Sequence, residues 1–277
     1  MATEVRDEPE HASTSRGGDA VSGNQDALLK GLVGLSRSLG RPERDLVILG
    51  EGNTSVRLDD ESFLVKASGT SLAGADPGSF VKMDFGRTLA LLDLRNPTDD
   101  ELGEALMGAR SSAEGGLRPS IEAPLHALAL TEGEAAFVGH THPTSVNSVL
   151  CSDHAGSLSE GAIFPDQIVV LGRHPLHIPY NDVGLPLAHA LRDGLHEHKR
   201  RVGTPPKTVY LQNHGLVALG SSASEVEQIT TMADKHARIM AGVLAAGEPV
   251  YLTAEQADHL DTRSDEEYRR RVFQGNR

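Results

Sequence analysis

The stretch AAFVGHTHPTSVN, Ala135 to Asn147, runs through small and apolar residues into two histidines one position apart, then meets a proline. Its first part, AAFVGH, reads as a strand. Residues i and i+2 of a strand share a face, so His140 and His142 at its end can both reach one ion. The sequence contains its own control. In LHEH, His196 and His198 have the same spacing but fall in LPLAHALRDGLHEH, a helical pattern that turns them to different faces, and surface positions are expected for both.

Upstream, SIEAPLHALAL opens a helix at Ser120, with Pro124 near its first turn, and feeds directly into the histidine strand. Thr98 and Glu101 form a capping box for a helix through about Ala109. Leu28, Leu32, Leu35 and Leu39 make a helical stripe that ends at Gly40. DLVILG, from Asp45, reads as a short strand. TSVRL and SFLVKA flank DDE as a hairpin, and FVKMD and TLALLDL read as two more strands around Phe85 and Gly86. Downstream, TSVNSVLCS suggests a short helix and QIVVLG a strand. The helix from Leu185 ends before Pro205 and Pro206, and TVYLQNHGLVALG is strand, turn, strand. Ser224 with Glu227 is a second capping box, launching a long amphipathic helix stopped by Gly247 and Pro249.

Hairpins dominate the first half and no linker separates two cores, so one α/β domain is expected, with helices on the faces of a mixed, largely antiparallel sheet. Its expected span is 26–260. Residues 1–25 read as a flexible polar tail and 261–277 as a charged C-terminal tail with helical character.

The chain has 277 residues, long enough for such a core, and 38% are apolar. Aromatics are only 4%, with no Trp, so the layers must pack through Leu, Val, Ile and Ala. A formal charge of −13 repels polyanions and argues against a nucleic-acid partner. Cys151 is the only cysteine, which excludes an intrachain disulfide and suggests a small packed residue. No apolar run reaches signal-peptide or membrane-span length; a cytoplasmic protein without membrane association is the expectation.

LGEGNTSVRL, from Leu49, has the G-x-G spacing of a dinucleotide loop but runs into a strand rather than a helix, and it lacks the lysine of a P-loop. What remains is a tight turn with Asn53, Thr54 and Ser55, either a compact anion site or a plain turn before a hairpin. KASGTSL, Lys66 to Leu72, lies at the far end of the same hairpin, so the two turns can face one pocket. In LQNHGLVALG, His214 ends another strand and is followed by Gly215, which permits close approach. Three imidazoles can hold Zn²⁺ or a similar ion and leave a position open for substrate. Singly, each reads as a hydrogen-bonded structural residue. Glu122, near a helix N-terminus, suits the carboxylate form by the helix dipole alone, with Ser120 as N-cap.

Together GNTS, SGT, PSIE, HTH and NHG, in that order, resemble the class II aldolase/adducin family, in the branch of the L-fuculose- and L-rhamnulose-phosphate aldolases. The likeness spans Asp26 to Leu252. It implies a three-layer α/β/α domain, usually a homotetramer with active sites between subunits. His140, His142 and His214 would bind Zn²⁺, or another divalent cation such as Mn²⁺ or Co²⁺. Glu122 would transfer the proton, and Gly52, Asn53, Ser68, Gly69 and Ser120 would cradle the phosphate of a sugar phosphate or hold a related keto-sugar. The implied activity is aldol cleavage through an enediolate; epimerase, dehydratase, decarboxylase and a non-catalytic adducin-like interaction domain are the alternatives. The chain departs from the family at two points. Ser120-Ile121 replaces a pair of serines, and no tyrosine lies between His142 and Tyr180. Asp166 falls close to where the family's epimerases carry an acid/base aspartate.

Overall fold

The computed structural model describes residues 16–112 and 116–262. Helix α1 (Arg16–Leu39) leads into strands β1 (Asn53–Arg57), β2 (Ser62–Lys66) and β3 (Phe80–Asp84), then helices α2 (Phe85–Ala90), α3 (Asp99–Gly108) and α4 (Ala123–Thr131). Strand β4 (Phe137–Thr141) follows, then α5 (Thr144–Leu150), α6 (Ser157–Glu160), α7 (Pro165–Leu171) and β5 (Leu176–Ile178). The chain continues through α8 (Leu185–Val202), β6 (Thr208–Leu211), β7 (Gly215–Gly220), α9 (Ala223–Ala246) and α10 (Ala254–Thr262).

The seven strands form one sheet in the order β3-β2-β1-β4-β7-β6-β5. Every pair is antiparallel except β5 with β6. Period-two alternation builds a core on each face. In β7, Leu216 and Ala218 pack into one core with Leu32, Leu35 and Leu39 of α1 and with α5 and α9. Val217 and Leu219 point the other way, into a second core with Phe63, Val65 and residues of α4 and α8. The result is the expected α/β/α layering around a mixed sheet. Helix α4 lies so deep in the second core that every residue from Ala123 to Leu130 is buried. Among the described residues, no helix is long and apolar enough to cross a membrane.

Several local expectations are overturned. QIVVLG is helix α7, started by Pro165, with Gln167, Ile168, Val169 and Leu171 on its buried side. TLALLDL is α2 continued by a 3₁₀ turn, because Asp84 caps the Arg87 N–H and ends the strand. DLVILG is irregular: Asp45 and Leu49 both have positive φ, and the segment crosses the sheet end, where the Leu46 carbonyl accepts the His142 N–H at 2.9 Å. The cap of α9 is Ser222, bonded by the Glu225 N–H, rather than Ser224. Helix α4 begins at Ala123, three residues after Ser120. Ten residues placed in the flexible tail, 16–25, are helical, whereas most of the charged C-terminal segment lies outside the described residues. Cys151 is exposed rather than packed. His196 is exposed as expected, but His198 is buried, its ring nitrogens paired with the carbonyls of Thr204 and His174.

Candidate active site

The site forms where β1, β4 and β7 end beside the N-terminus of α4. Asn53 pairs with His140 in register across β1 and β4, and His140 pairs with Val217 across β4 and β7. His140 and His142 share the face of Val138, the side covered by α4. His214 sits in the β6–β7 turn, where Asn213 has a φ of 55° and donates its backbone N–H to Leu150. Gly215 is what lets that turn come close. A Cβ there would stand 2.5 Å from the Thr141 oxygen and 2.8 Å from the His142 ring. Gly52 plays the same part at β1, with a φ of 67° and its would-be Cβ 2.6 Å from the His140 oxygen.

One ligand atom from each of His140, His142 and His214 lies within 4.8 Å of the others. His140 Nδ1 meets the Leu216 carbonyl at 3.0 Å, which assigns the proton to Nδ1 and turns the Nε2 lone pair into the cluster. His142 Nε2 is 3.0 Å from His140 Nε2. His142 Nδ1 faces Glu51 Oε2 at 3.9 Å.

Glu122 closes the group. Its Oε1 lies 3.4 Å from His140 Nε2 and 3.3 Å from His214 Nε2, yet is buried without a hydrogen-bond partner by geometry. Its Oε2 accepts the Asn53 side-chain N–H at 2.7 Å. Burial by itself would raise the Glu122 carboxyl, but the nearby His140, the Asn53 amide and the nearby His214 outweigh it and hold the group far below the usual carboxylate range. Burial likewise opposes a charge on His140, and Glu122 overcomes it, so the His140 pKa rises. Burial and repulsion from His140 push His142 down to about 3 and His214 to about 4. His142 and His214 are therefore neutral at neutral pH, and a bound cation would take the place of the proton that Glu122 favours on His140.

The donor set fits a divalent cation: three imidazole nitrogens and an adjacent buried carboxylate oxygen with nothing else to bind. An all-histidine set with a free face suits Zn²⁺ and other borderline ions better than Ca²⁺ or Mg²⁺, which prefer oxygen.

The residues expected to hold an anion lie alongside. Ser120 Oγ accepts from Asn53 at 3.1 Å and from the Glu122 N–H at 3.2 Å. An isolated bridge between Ala67 and Pro119, with the Ser68 N–H donating to the Arg118 carbonyl, brings the SGT turn to the same place. Gly69 turns it with a φ of 79°. Asp166 is not part of this group: it stands in the first turn of α7, which packs on α9 and α10.

Two residues escaped the sequence reading. Lys66 is buried and donates to the Ala67 and Thr70 carbonyls, a cation under the SGT turn; burial lowers its pKa against the attraction of Glu122. His126, one helical turn past Glu122, is completely buried and bonds Asn53 and Ser55. A histidine inside the apolar run PLHALAL was the available signal for it.

An open mixed sheet covered on both faces, with three histidines and a glutamate gathered at its end, defines the class of protein. Residues 30–241 match the family model of the class II aldolase and adducin N-terminal domain, and the chain belongs to that family. It is similar, at 28% identity over 235 residues, to the 3-oxo-tetronate 4-phosphate decarboxylase of Haemophilus influenzae, covering 84% of this chain and 95% of that protein. It also matches the uncharacterized oxidoreductase YuxG of Bacillus subtilis, at 25% over 196 residues; that covers 68% of this chain but spans only 26% of the length of YuxG. Among solved structures, an L-fuculose 1-phosphate aldolase shares the fold with a TM-score of 0.65 at 21% identity, covering 88% of this chain and 96% of that one.

Proposed function

We propose that this protein is a divalent-metal-dependent carbon–carbon lyase acting on a sugar phosphate or related hydroxy-keto compound through an enediolate. The observation that carries the reading is the Glu122 carboxylate, with Oε2 tied to Asn53 and Oε1 buried, unpartnered and 3.3–3.4 Å from two imidazole nitrogens. A carboxylate so placed is ready to exchange a proton with a carbon beside the cluster. A divalent cation held by His140, His142 and His214, Zn²⁺ foremost with Mn²⁺ or Co²⁺ as substitutes, supplies Lewis acidity toward adjacent hydroxyl and carbonyl oxygens. In the synthetic direction the Glu122 carboxylate removes the proton from the carbon through Oε1; in the cleavage direction it first takes up a proton from solvent and returns it to the carbon left when the bond breaks. Gly52, Asn53, Ser68, Gly69 and Ser120 hold the far, anionic end of the substrate. Asn53 and Ser120 also fix Glu122.

Aldol cleavage is the first reading. Decarboxylation is the second, favoured by the similarity over nearly the full length of the 3-oxo-tetronate 4-phosphate decarboxylase. The two share a half-reaction: loss of an aldehyde, or of CO₂ from a 3-oxo acid, leaves the enediolate of a hydroxy ketone, which Glu122 protonates. Dihydroxyacetone phosphate, the simplest phosphorylated hydroxy ketone, probes that step without a choice between them. The metal-loaded protein is expected to exchange one of its carbon-bound hydrogens for deuterium in D₂O, followed by NMR, and chelation is expected to stop it. Exchange that survives chelation, or none at all with metal bound, contradicts the proposal; the second result favours an interaction domain. Trapping of an aldehyde versus release of CO₂ from candidate substrates then separates the two readings.

Association of subunits belongs to the same proposal. Tyr180, Val183 and Ile121 are exposed apolar side chains, Val183 and Ile121 lining one groove near the site, as expected of a surface that a second copy covers. A homotetramer in the cytoplasm is the form we expect, and sedimentation tests the assembly.

A further inference from the structure

The strand β1 and the helix α4 carry matched ladders. Asn53 and Ser55 are two apart on a strand and share a face; Glu122 and His126 are four apart at the start of a helix and share a face. Set against each other, they interleave as Glu122, Asn53, His126, Ser55. Each step is a hydrogen bond: Glu122 Oε2 to Asn53 Nδ2 at 2.7 Å, Asn53 Oδ1 to His126 Nε2, and His126 Nδ1 to Ser55 Oγ at 2.6 Å. All four side chains are buried, His126 and Ser55 completely.

The direction of every proton in the chain follows from one end. An ionised carboxylate only accepts, so Asn53 must turn its NH₂ to Glu122, and the same NH₂ reaches Ser120 Oγ. Its carbonyl oxygen then faces His126, whose Nε2 must carry the hydrogen. His126 Nδ1 is left as a lone pair, so Ser55 must donate. Burial keeps the ring neutral, which agrees with that tautomer. An amide nitrogen does not pass a proton on, so the chain cannot act as a relay. Its effect is to hold the Asn53 amide in one of its two orientations.

We propose that His126 is a positioning residue for the reaction: acting through Asn53, it locks Glu122 by Oε2 and so leaves Oε1 as the oxygen that meets the substrate carbon. This rests on the proposed proton-transfer role of Glu122. Removing the His126 donor leaves Asn53 Oδ1 buried and unpaired, and the amide gains nothing from its present orientation on that side. A rotated Asn53 would release Glu122, and a misplacement of about 1 Å can cost on the order of 100-fold in rate.

The test compares His126→Met, which keeps bulk but has no donor, with His126→Gln, whose Nε2 can reach the position of the ring Nε2. In deuterium exchange of dihydroxyacetone phosphate by the zinc-loaded protein, H126M is expected to lose ten- to hundredfold in kcat, as estimated for a mispositioned group. Metal stoichiometry should stay within about threefold of the parent, since the imidazole cluster is not touched, whereas KM can rise as kcat is lost, because Asn53 and its partner Ser120 also belong to the anion-binding set; H126Q should recover most of the rate. A structural defect alone would impair both variants and would lower metal binding with them. A second readout does not depend on activity: with ¹⁵N-asparagine labelling, the Asn53 side-chain NH₂ should be protected from solvent exchange in the parent and H126Q and lose protection in H126M. Equal impairment of the two variants, or an H126M protein with parental kcat and a protected amide, overturns the inference. If the parent exchanges no deuterium at all, the proton-transfer reading fails, and the amide protection still decides whether His126 fixes Asn53.

Discussion

At the residue scale, the imidazole ligands and the acid/base carboxylate can be told apart by substitution. Replacing Glu122 by Gln keeps its size and its bond to Asn53 but removes the exchangeable carboxylate, so turnover should fall by about 100-fold or more with bound metal unchanged. Loss of the metal in that variant, measured by elemental analysis, would make Glu122 a ligand instead. Much of this site was legible in the chain. The H-x-H pair on an expected strand put two rings on one face, the LQNHG turn offered His214 and the helix start offered Glu122, and the family motifs gave the three histidines and the glutamate their roles. His126 was not legible, because a lone histidine in an apolar helix looks the same whether it fills the core or meets an asparagine 73 positions away. Asp166 was suggested by likeness alone, and folding of its segment as α7 leaves it outside the cluster.

At the element scale, two junctions decide whether the strands present the site. Gly215 brings β7 against β4. Gly215→Ala must push a Cβ against a backbone carbonyl and the His142 ring, with an expected cost of about 1–3 kcal/mol and weaker metal binding. Denaturant unfolding and metal titration measure both, and unchanged metal affinity would contradict the packing argument. At the other end of β7, Glu225 accepts from Lys207 at 2.7 Å and from the Ser221 backbone and hydroxyl, tying the strand to α9. Burial would raise the Glu225 carboxyl, but Lys207 and Ser221 lower it below the ordinary 4.5. Its contribution is therefore complete above the unfolded value and fades as pH falls through the lower folded value. Glu225→Gln should cost about 1.5–3 kcal/mol at pH 7, as for a hydrogen-bonded charged group, and the gap to the parent should narrow on acidification. A pH-independent gap would mean that packing, not charge, holds the junction. The elements misread from sequence share a cause. QIVVLG and TLALLDL are apolar runs too short for periodicity to separate strand from helix, and the deciding signals were single residues, Pro165 at the start of α7 and Asp84 capping α2.

At the scale of the whole molecule, the antiparallel pairing of β1 with β2 and of β6 with β7 was readable because those hairpins are local, whereas β4 pairs with β1 and β7 across long stretches of sequence, and β5, three residues long and parallel to β6, offers too little pattern to detect. The histidines are distant in sequence and adjacent only in the folded sheet, so metal binding must favour the folded state. At a free ion concentration of about 100 times Kd the gain is roughly 2.7 kcal/mol. For a domain of this size that corresponds to a rise in Tm of roughly 5–10 °C over the chelated protein, in a calorimetric scan. No change in Tm on chelation would separate the site from the fold.

The most direct test of the central claim is the number of zinc ions bound per chain at equilibrium, in the parent and with two of His140, His142 and His214 replaced by alanine. About one ion per chain is expected in the parent and essentially none in the variant. Fewer than about one ion per three chains in the parent, or equal binding in the variant, would contradict it.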